Sequence, residues 1–193
     1  SADANERLVA MLDLRREPLD EAREQLAAML ESRDFVSWFN AAVTLSHYAD
    51  LSGLVSSHIS RLGAPGTDLA REIAVLGALR HPRAVAPLVE HLSHPSAHLR
   101  ALTAWSLGFI ASPRSLPALH TAMHDASPEV RAEAALALGR IGSDGRPMPG
   151  DSAEAKRRSL LGESILGALS DLTGDPSPTV TRALDEAREL VLF

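Results

Sequence analysis

The chain has 193 residues, of which 45% are hydrophobic and only 4% aromatic, and it carries a formal net charge of −6 at pH 7. Nucleic acid is disfavoured as a partner, because binding phosphates requires clustered lysine and arginine. The absence of cysteine excludes disulfides, cysteine-ligated metals and thiol nucleophiles. No apolar run is long enough to span a membrane and no signal-peptide pattern begins the sequence, so we expect a cytoplasmic protein.

Helix-forming residues dominate the whole chain, and no strand-like alternation of apolar and polar residues occurs. The first helices are predicted in residues 1–33, as a hairpin interrupted at Pro18. This hairpin does not fit the spacing of the later residues, which is typical of the cap at the end of a repeat array.

A fixed spacing begins after this hairpin. Gly77, Gly108 and Gly139 lie 31 residues apart (108−77 and 139−108), as do Arg100 and Arg131. Such a period, with two helix-sized apolar segments in each unit, indicates stacked helical hairpins. We predict an all-α fold, a right-handed α-solenoid of about five hairpins in a single domain. The predicted repeats are 34–65, 66–96, 97–127 and 128–174, followed by a half repeat at 175–193.

The fourth repeat departs from this period. Asp125 and Asp175 both open an Asp-x-Ser-Pro turn, and they lie 50 residues apart, which is 19 more than one period (50−31). Glycine and proline crowd the sequence SDGRPMPGD that starts at residue 143. We predict an insertion at 143–162, which is either part of a binding surface or a tolerated surface segment.

Two stretches carry a resemblance to a known family. LRALTAWSLGFIASPRSLPALHTAMHDASPEV (Leu99 to Val130) and VRAEAALALGRIG (Val130 to Gly142) resemble the short HEAT-like repeats of the phycobilisome-lyase type. The resemblance implies two antiparallel helices per repeat, with the second helices lining a concave surface that usually binds a protein. It also implies an alternative function, that of a bilin-chromophore lyase or lyase-like subunit acting on a tetrapyrrole.

Arg100 and Arg131 open consecutive first helices and are expected to stack in a ladder beside Asp125 and its equivalents. We interpret this ladder as structural, bonding the turns between repeats. The alternative is that one of the arginines contacts a ligand.

Most histidines fall in the second and third repeats. His91 with His94, and His120 with His124, have spacings that place two imidazoles on one face of a helix. Two such rings could bind a metal, but nothing else in the sequence marks a metal centre. We therefore interpret them as solvated or capping residues and predict no metal and no other cofactor.

Trp105 and Phe109 occupy the period-equivalent positions of Leu136 and Arg140 (136−105 and 140−109 are both 31). Their spacing of four residues places both rings on one side of a helix. A partly exposed pair would be an anchor for a partner, whereas the alternative is burial against the adjoining repeat.

No nucleophile elbow, phosphate-binding glycine loop or paired catalytic carboxylate motif occurs, so we name no catalytic residue. We predict a non-enzymatic scaffold or adaptor whose partner is another protein. The candidate contact residues lie on the second helices or at the aromatic rim and are His58, Glu90, His91, Trp105, Phe109, His120 and His124. The bilin lyase remains the alternative.

Overall fold

The computed structural model describes residues 9–14, 20–143 and 153–192, and within these ranges every regular element is a helix. Residues 9–14 form a short helical segment. The helices that follow are α1 (Asp20–Met29), α2 (Phe35–Leu45), α3 (Ser52–Arg61), α4 (Leu69–Ala78), α5 (Val85–Glu90), α6 (Ala97–Ile110), α7 (Leu116–Ala122), α8 (Pro128–Ser143), α9 (Ala153–Ser170) and α10 (Pro178–Leu192). Short 3₁₀ turns occupy Pro82–Ala84, His91–Ser93 and Pro113–Ser115.

The helix boundaries follow from local chemistry. Asp34 and Asp68 cap α2 and α4, since their carboxylates accept hydrogen bonds from the backbone N–H groups of Ser37 (2.8 Å) and Arg71 (3.2 Å). Helix α6 ends where Ala111 adopts a left-handed conformation with φ of 53°. The two aspartate caps are local signals that the sequence itself carries.

The chain divides into two compact units, Ser1–Ala84 and Val85–Phe193. The single domain and the repeat boundaries expected from the sequence stay predictions. The predicted insertion at 143–162 lies partly on residues 144–152, which are outside the described residues, and its remainder is the beginning of α9.

In the first unit, α2 packs against α1 and α4, and α3 packs against α4. Its core includes the fully buried Leu30, Leu45, Ile73 and Leu76. A polar group lies inside this unit as well, because the Glu72 side chain on α4 is buried against α3.

In the second unit, α8 is the central helix and contacts α6, α7, α9 and α10. The helices α6, α8 and α10, which the sequence predicts to be the first helices of successive repeats, lie side by side. A Cβ atom on Gly108 would lie 2.7 Å from Ala137 Cα, and one on Gly139 would lie 2.7 Å from Ala187 Cα. These two glycines recur at the repeat period because each first helix approaches the next too closely for a side chain.

Candidate partner-binding site

The second helices of the second unit present a group of polar, mostly exposed side chains, which we call the second-helix surface. It comprises Glu90 at the end of α5, His91 in the following turn, His120 on α7, His124 just after α7, and Asp171 just after α9. Four of these five side chains are exposed, and His91 is half-buried. The structure therefore leaves four of the predicted contact residues, Glu90, His91, His120 and His124, available to solvent.

His120 joins this surface to the following repeat. Its Nε2 lies 3.2 Å from Oδ2 of Asp171, and the two side chains are 48% and 51% exposed. The carboxylate can only accept, so Nε2 of His120 donates. An exposed pair of this kind contributes little to stability.

His124 lies beside His120, with 5.6 Å between their ring centroids. Its Nδ1 donates to the carbonyl of His120 (3.1 Å), and Nδ1 of His91 donates in the same way to the carbonyl of Pro87 (3.0 Å). Both rings thus keep Nε2 as the acceptor when neutral. These rings therefore offer hydrogen-bond donors and acceptors to a partner. Among the described residues, no group of three or more His, Cys, Asp or Glu side chains could hold a metal ion.

His58 does not belong to such a surface. Its side chain is only 3% exposed, and its Nδ1 lies 2.6 Å from Oε2 of the buried Glu72. The sequence prediction that His58 contacts a partner is thus contradicted, because the side chain is directed into the first unit, where it pairs with a carboxylate of α4. Nη1 of Arg61 also lies 3.6 Å from Oε1 of Glu72, so a second side chain of α3 approaches this carboxylate.

In the second unit, the predicted arginine ladder consists of two ion pairs, Arg100–Asp125 and Arg131–Asp175, and we call each of these pairs a lock. Nε and Nη2 of Arg100 donate to both carboxylate oxygens of Asp125 at 2.7 Å, and Nη1 donates to the carbonyl oxygens of His94 and Pro95. Arg131 repeats the arrangement, donating to both oxygens of Asp175 (2.7 and 3.1 Å) and to the carbonyls of Asp125 and Ala126. Each arginine therefore ties its own inter-repeat turn to the next one.

These locks also hold the carboxylates in their charged form. The hydrogen bonds from Arg100 lower the pKa of Asp125, and those from Arg131 lower the pKa of Asp175. The lock partners are separated by 25 and 44 residues, so the second pair spans 19 more residues (44−25), the length of the surplus in the fourth repeat. Arg131 thus bonds to Asp175 in the same way as Arg100 bonds to Asp125, although more residues separate the second pair.

Trp105 and Phe109 form a half-buried aromatic pair on α6, with 4.2 Å between ring centroids. The guanidinium of Arg140 on α8 lies over the Phe109 ring, 5.2 Å from its centre. Beside Trp105 is an open cavity of about 210 Å³ lined by His98, Ala101, Leu102, Trp105 and Glu133. The two rings are therefore partly exposed. Two charged residues of α8 lie next to them, Glu133 across the cavity from Trp105 and Arg140 over the ring of Phe109.

Glu133 and Arg140 carry atoms that the fold leaves unsatisfied. Within the described residues, the buried Oε2 of Glu133 and the buried Nη1 of Arg140 have no hydrogen-bond partner. Burial raises the pKa of Glu133; the charge of Arg140 opposes this shift and that of Glu186 on α10 adds to it. Sequence reasoning missed Glu133, Arg140 and Asp171 as site residues. The repeat period gave one signal for Glu133 and Arg140. These charged residues stand where the preceding repeat has the apolar Leu102 and Phe109 (133−102 and 140−109 are both 31).

Comparison with known proteins supports the fold. The family model for HEAT repeats matches residues 65–138. No curated protein sequence matches the chain. Among solved structures, the chain is similar to an engineered protein from the Northeast Structural Genomics Consortium, with a TM-score of 0.50 and 21% identity over 95% of this chain and 82% of the other.

A second similar structure is a designed armadillo repeat protein in complex with the peptide (KR)4, with a TM-score of 0.52 and 19% identity over 99% of this chain and 95% of the other. At these identities the likeness shows the fold alone. None of the described helices is long and apolar enough to cross a membrane. The chain is an α-helical repeat protein of the solenoid class, and its residues 65–138 match HEAT repeats.

Proposed function

We propose that this chain is a non-enzymatic scaffold or adaptor that binds another protein through the second-helix surface. The observation that carries the proposal is the exposed group His120, His124 and Asp171, which is supplied by the second helices of two successive repeats. Surfaces built from one helix of each repeat are how solenoid proteins commonly bind extended partners.

The contrast between the part-buried inter-repeat turns and the exposed second-helix surface supports this assignment. The arginines and aspartates of the inter-repeat turns are bonded within the fold and have little polar capacity left for a partner. Glu90, His120 and His124 lie in solvent, and removing them would disturb no buried contact. Polar groups of this kind give specificity and orientation to a protein interface.

Likeness to a peptide-binding repeat protein is compatible with the proposal. The designed armadillo protein binds a basic peptide, and the present chain has a net charge of −6. A negatively charged scaffold attracts basic partners and accelerates their encounter. The bilin-lyase alternative is not supported by the matching family model or by the similar structures, and we do not propose it.

The test is affinity capture from the source organism with the wild-type chain and the double variant Glu90→Lys, His120→Glu. Both changes lie at exposed positions, so the variant should melt at the wild-type temperature while losing the captured partner. A matched control is Glu189→Lys with His47→Glu, which makes the same exchanges at exposed positions on and after first helices.

A photo-crosslinking amino acid at His124 should then attach directly to the captured partner, while the same group at the exposed Arg182 of α10 should not. Retention of the partner by the double variant, or equal crosslinking from both positions, would refute the assigned surface.

A further inference from the structure

We infer that the cavity between Trp105 and Glu133 is a binding site for the guanidinium group of an arginine side chain on a protein ligand. The inference rests on the proposed function only in that the arginine belongs to a bound protein. The site itself lies on the first helices α6 and α8, apart from the residues of the second-helix surface.

The shape of the site fits the end of a side chain. Four of its lining residues, His98, Ala101, Leu102 and Trp105, follow one stripe along α6, and Glu133 on α8 closes the opposite wall. The cavity has a volume of about 210 Å³. It therefore has room for a planar head group but not for a drug-sized molecule.

The chemistry of the walls selects a cation that donates hydrogen bonds. Oε2 of Glu133 is buried and has no donor within the described residues, which is a costly state for a carboxylate oxygen. The half-buried Trp105 supplies an indole, the side chain that attracts cations most strongly. A guanidinium lying against this ring would be next to the Glu133 side chain on the opposite wall, where its positive charge and N–H groups suit a carboxylate.

The surrounding charges are consistent with this ligand. Glu186 on α10 adds negative charge near Glu133, whereas Arg140 opposes it. Arg140 lies over Phe109 and is not among the residues that line the cavity. The Arg140 guanidinium thus lies near the cavity but does not occupy it.

Arginine is favoured over lysine for two reasons. A guanidinium is planar and stacks on an aromatic ring, whereas an ammonium group is compact and spherical. The guanidinium is also less strongly hydrated, so it loses less on entering a partly buried site. The ligand expected here is therefore an exposed arginine in an extended segment or loop.

The test uses the peptide acetyl-Gly-Arg-Gly-amide and follows the indole N–H and backbone amides of the ¹⁵N-labelled full chain by NMR. We expect saturable shifts at Trp105, Ala101 and Leu102, with a dissociation constant on the order of 1 mM for a single anchored side chain. The same peptide with citrulline, which keeps the shape of arginine but lacks its charge, should bind at least about tenfold more weakly. The lysine peptide should bind several-fold more weakly than the arginine peptide.

Two variants decide the site. Glu133→Gln keeps the shape and removes the charge, and it should weaken arginine binding about tenfold. Glu189→Gln makes the same exchange on the exposed side of α10 and should bind like the wild type. Trp105→Leu places the residue found at the equivalent position 136, and it should also weaken binding while the spectrum remains that of a folded chain.

Absence of saturable shifts, equal binding of the citrulline or lysine peptide, or unchanged binding by Glu133→Gln would each overturn the inference. These outcomes are distinguishable from failure of the proposed function. If the peptide does not bind but the second-helix variant still loses its partner, the arginine site is wrong and the scaffold assignment stands. If the peptide binds and that variant keeps its partner, the second-helix surface is wrong and the arginine site stands.

Discussion

The second unit contains two kinds of buried charge, and their difference separates structure from candidate function. At the inter-repeat turns, Arg131 donates to both oxygens of Asp175 and to two carbonyl groups. In the groove between α6 and α8, Glu133 and Arg140 each keep a buried atom without a partner among the described residues. Acidic and basic side chains are thus hydrogen-bonded at the turns and keep unsatisfied atoms in the groove.

The comparison teaches that burial of a charge does not by itself indicate a structural role. A lock whose guanidinium makes four hydrogen bonds has little to offer a ligand. A buried carboxylate oxygen without a partner weakens the fold instead of stabilising it, so a structural role does not account for Glu133. Variants of the two arrangements should therefore differ in stability and in its pH dependence.

Removing a lock should cost the most stability. In Arg131→Met, the carboxylate of Asp175 loses both arginine donors and keeps the backbone N–H of Ser177, while two backbone carbonyls lose the same arginine. The side chains of Arg131 and Asp175 are only 15% and 8% exposed. We expect the free energy of unfolding to fall by about 2 to 3 kcal/mol, measured by urea denaturation. Arg182→Met, at an exposed position of α10, is the control and should change little. Equal losses in both variants would mean that the lock is not structural.

Separating α6 from α8 should have the next largest effect. In Gly108→Ala the new Cβ would meet Ala137 Cα at 2.7 Å and Nη1 of Arg140 at 3.1 Å. We expect a loss of about 2 kcal/mol, because backbone contacts cannot yield as side chains do. Gly167→Ala on α9 has no atom within 4 Å and should instead stabilise the helix by about 0.5 to 1 kcal/mol. Thermal melts of the two variants should therefore move in opposite directions.

Removing the charge of Glu133 should change the free energy of unfolding only slightly, and in the opposite direction to the loss of a lock. Glu133→Gln removes a charge that burial disfavours, so we expect stability at neutral pH to rise by less than about 1 kcal/mol after allowance for solvent screening. Asp175→Asn, the corresponding change in a lock, should lower stability. If Glu133→Gln were clearly destabilising, the carboxylate would have a structural partner and the contrast would fail.

The pH dependence of these two effects should also be opposite. The folded-state pKa of Asp175 lies below its ordinary value of 3.8, so its contribution is present above that pH and is lost as the pH falls through the folded value. The folded-state pKa of Glu133 lies above 4.5, so its ionisation costs stability as the pH rises from 4.5 through the folded value.

The loss caused by Asp175→Asn should consequently shrink in acid, and the gain from Glu133→Gln should vanish below about pH 4.5. Denaturation curves of both variants and the wild type between pH 3 and 7 would measure this. A gain from Glu133→Gln that persists unchanged at low pH would show that it does not arise from the charge.

The sequence by itself determined the helical class, the solenoid fold and the repeat spacing. Capping residues such as Asp34 and Asp68, and glycines such as Gly108 and Gly139, act over a few residues or at a fixed period, so they are visible without coordinates. The partnership of Arg100 with the Asp-x-Ser-Pro turn was also predictable from this period.

Only the tertiary structure decided which side chains meet between helices. His58 and His120 both lie on second helices, yet one is buried against Glu72 and the other is exposed beside Asp171, 51 residues away. Likewise, Glu133 and Arg140 became candidates only when their unsatisfied atoms and the cavity were seen together. Helix periodicity fixes which residues share a face, but the rotation and approach of neighbouring helices determine what that face contacts.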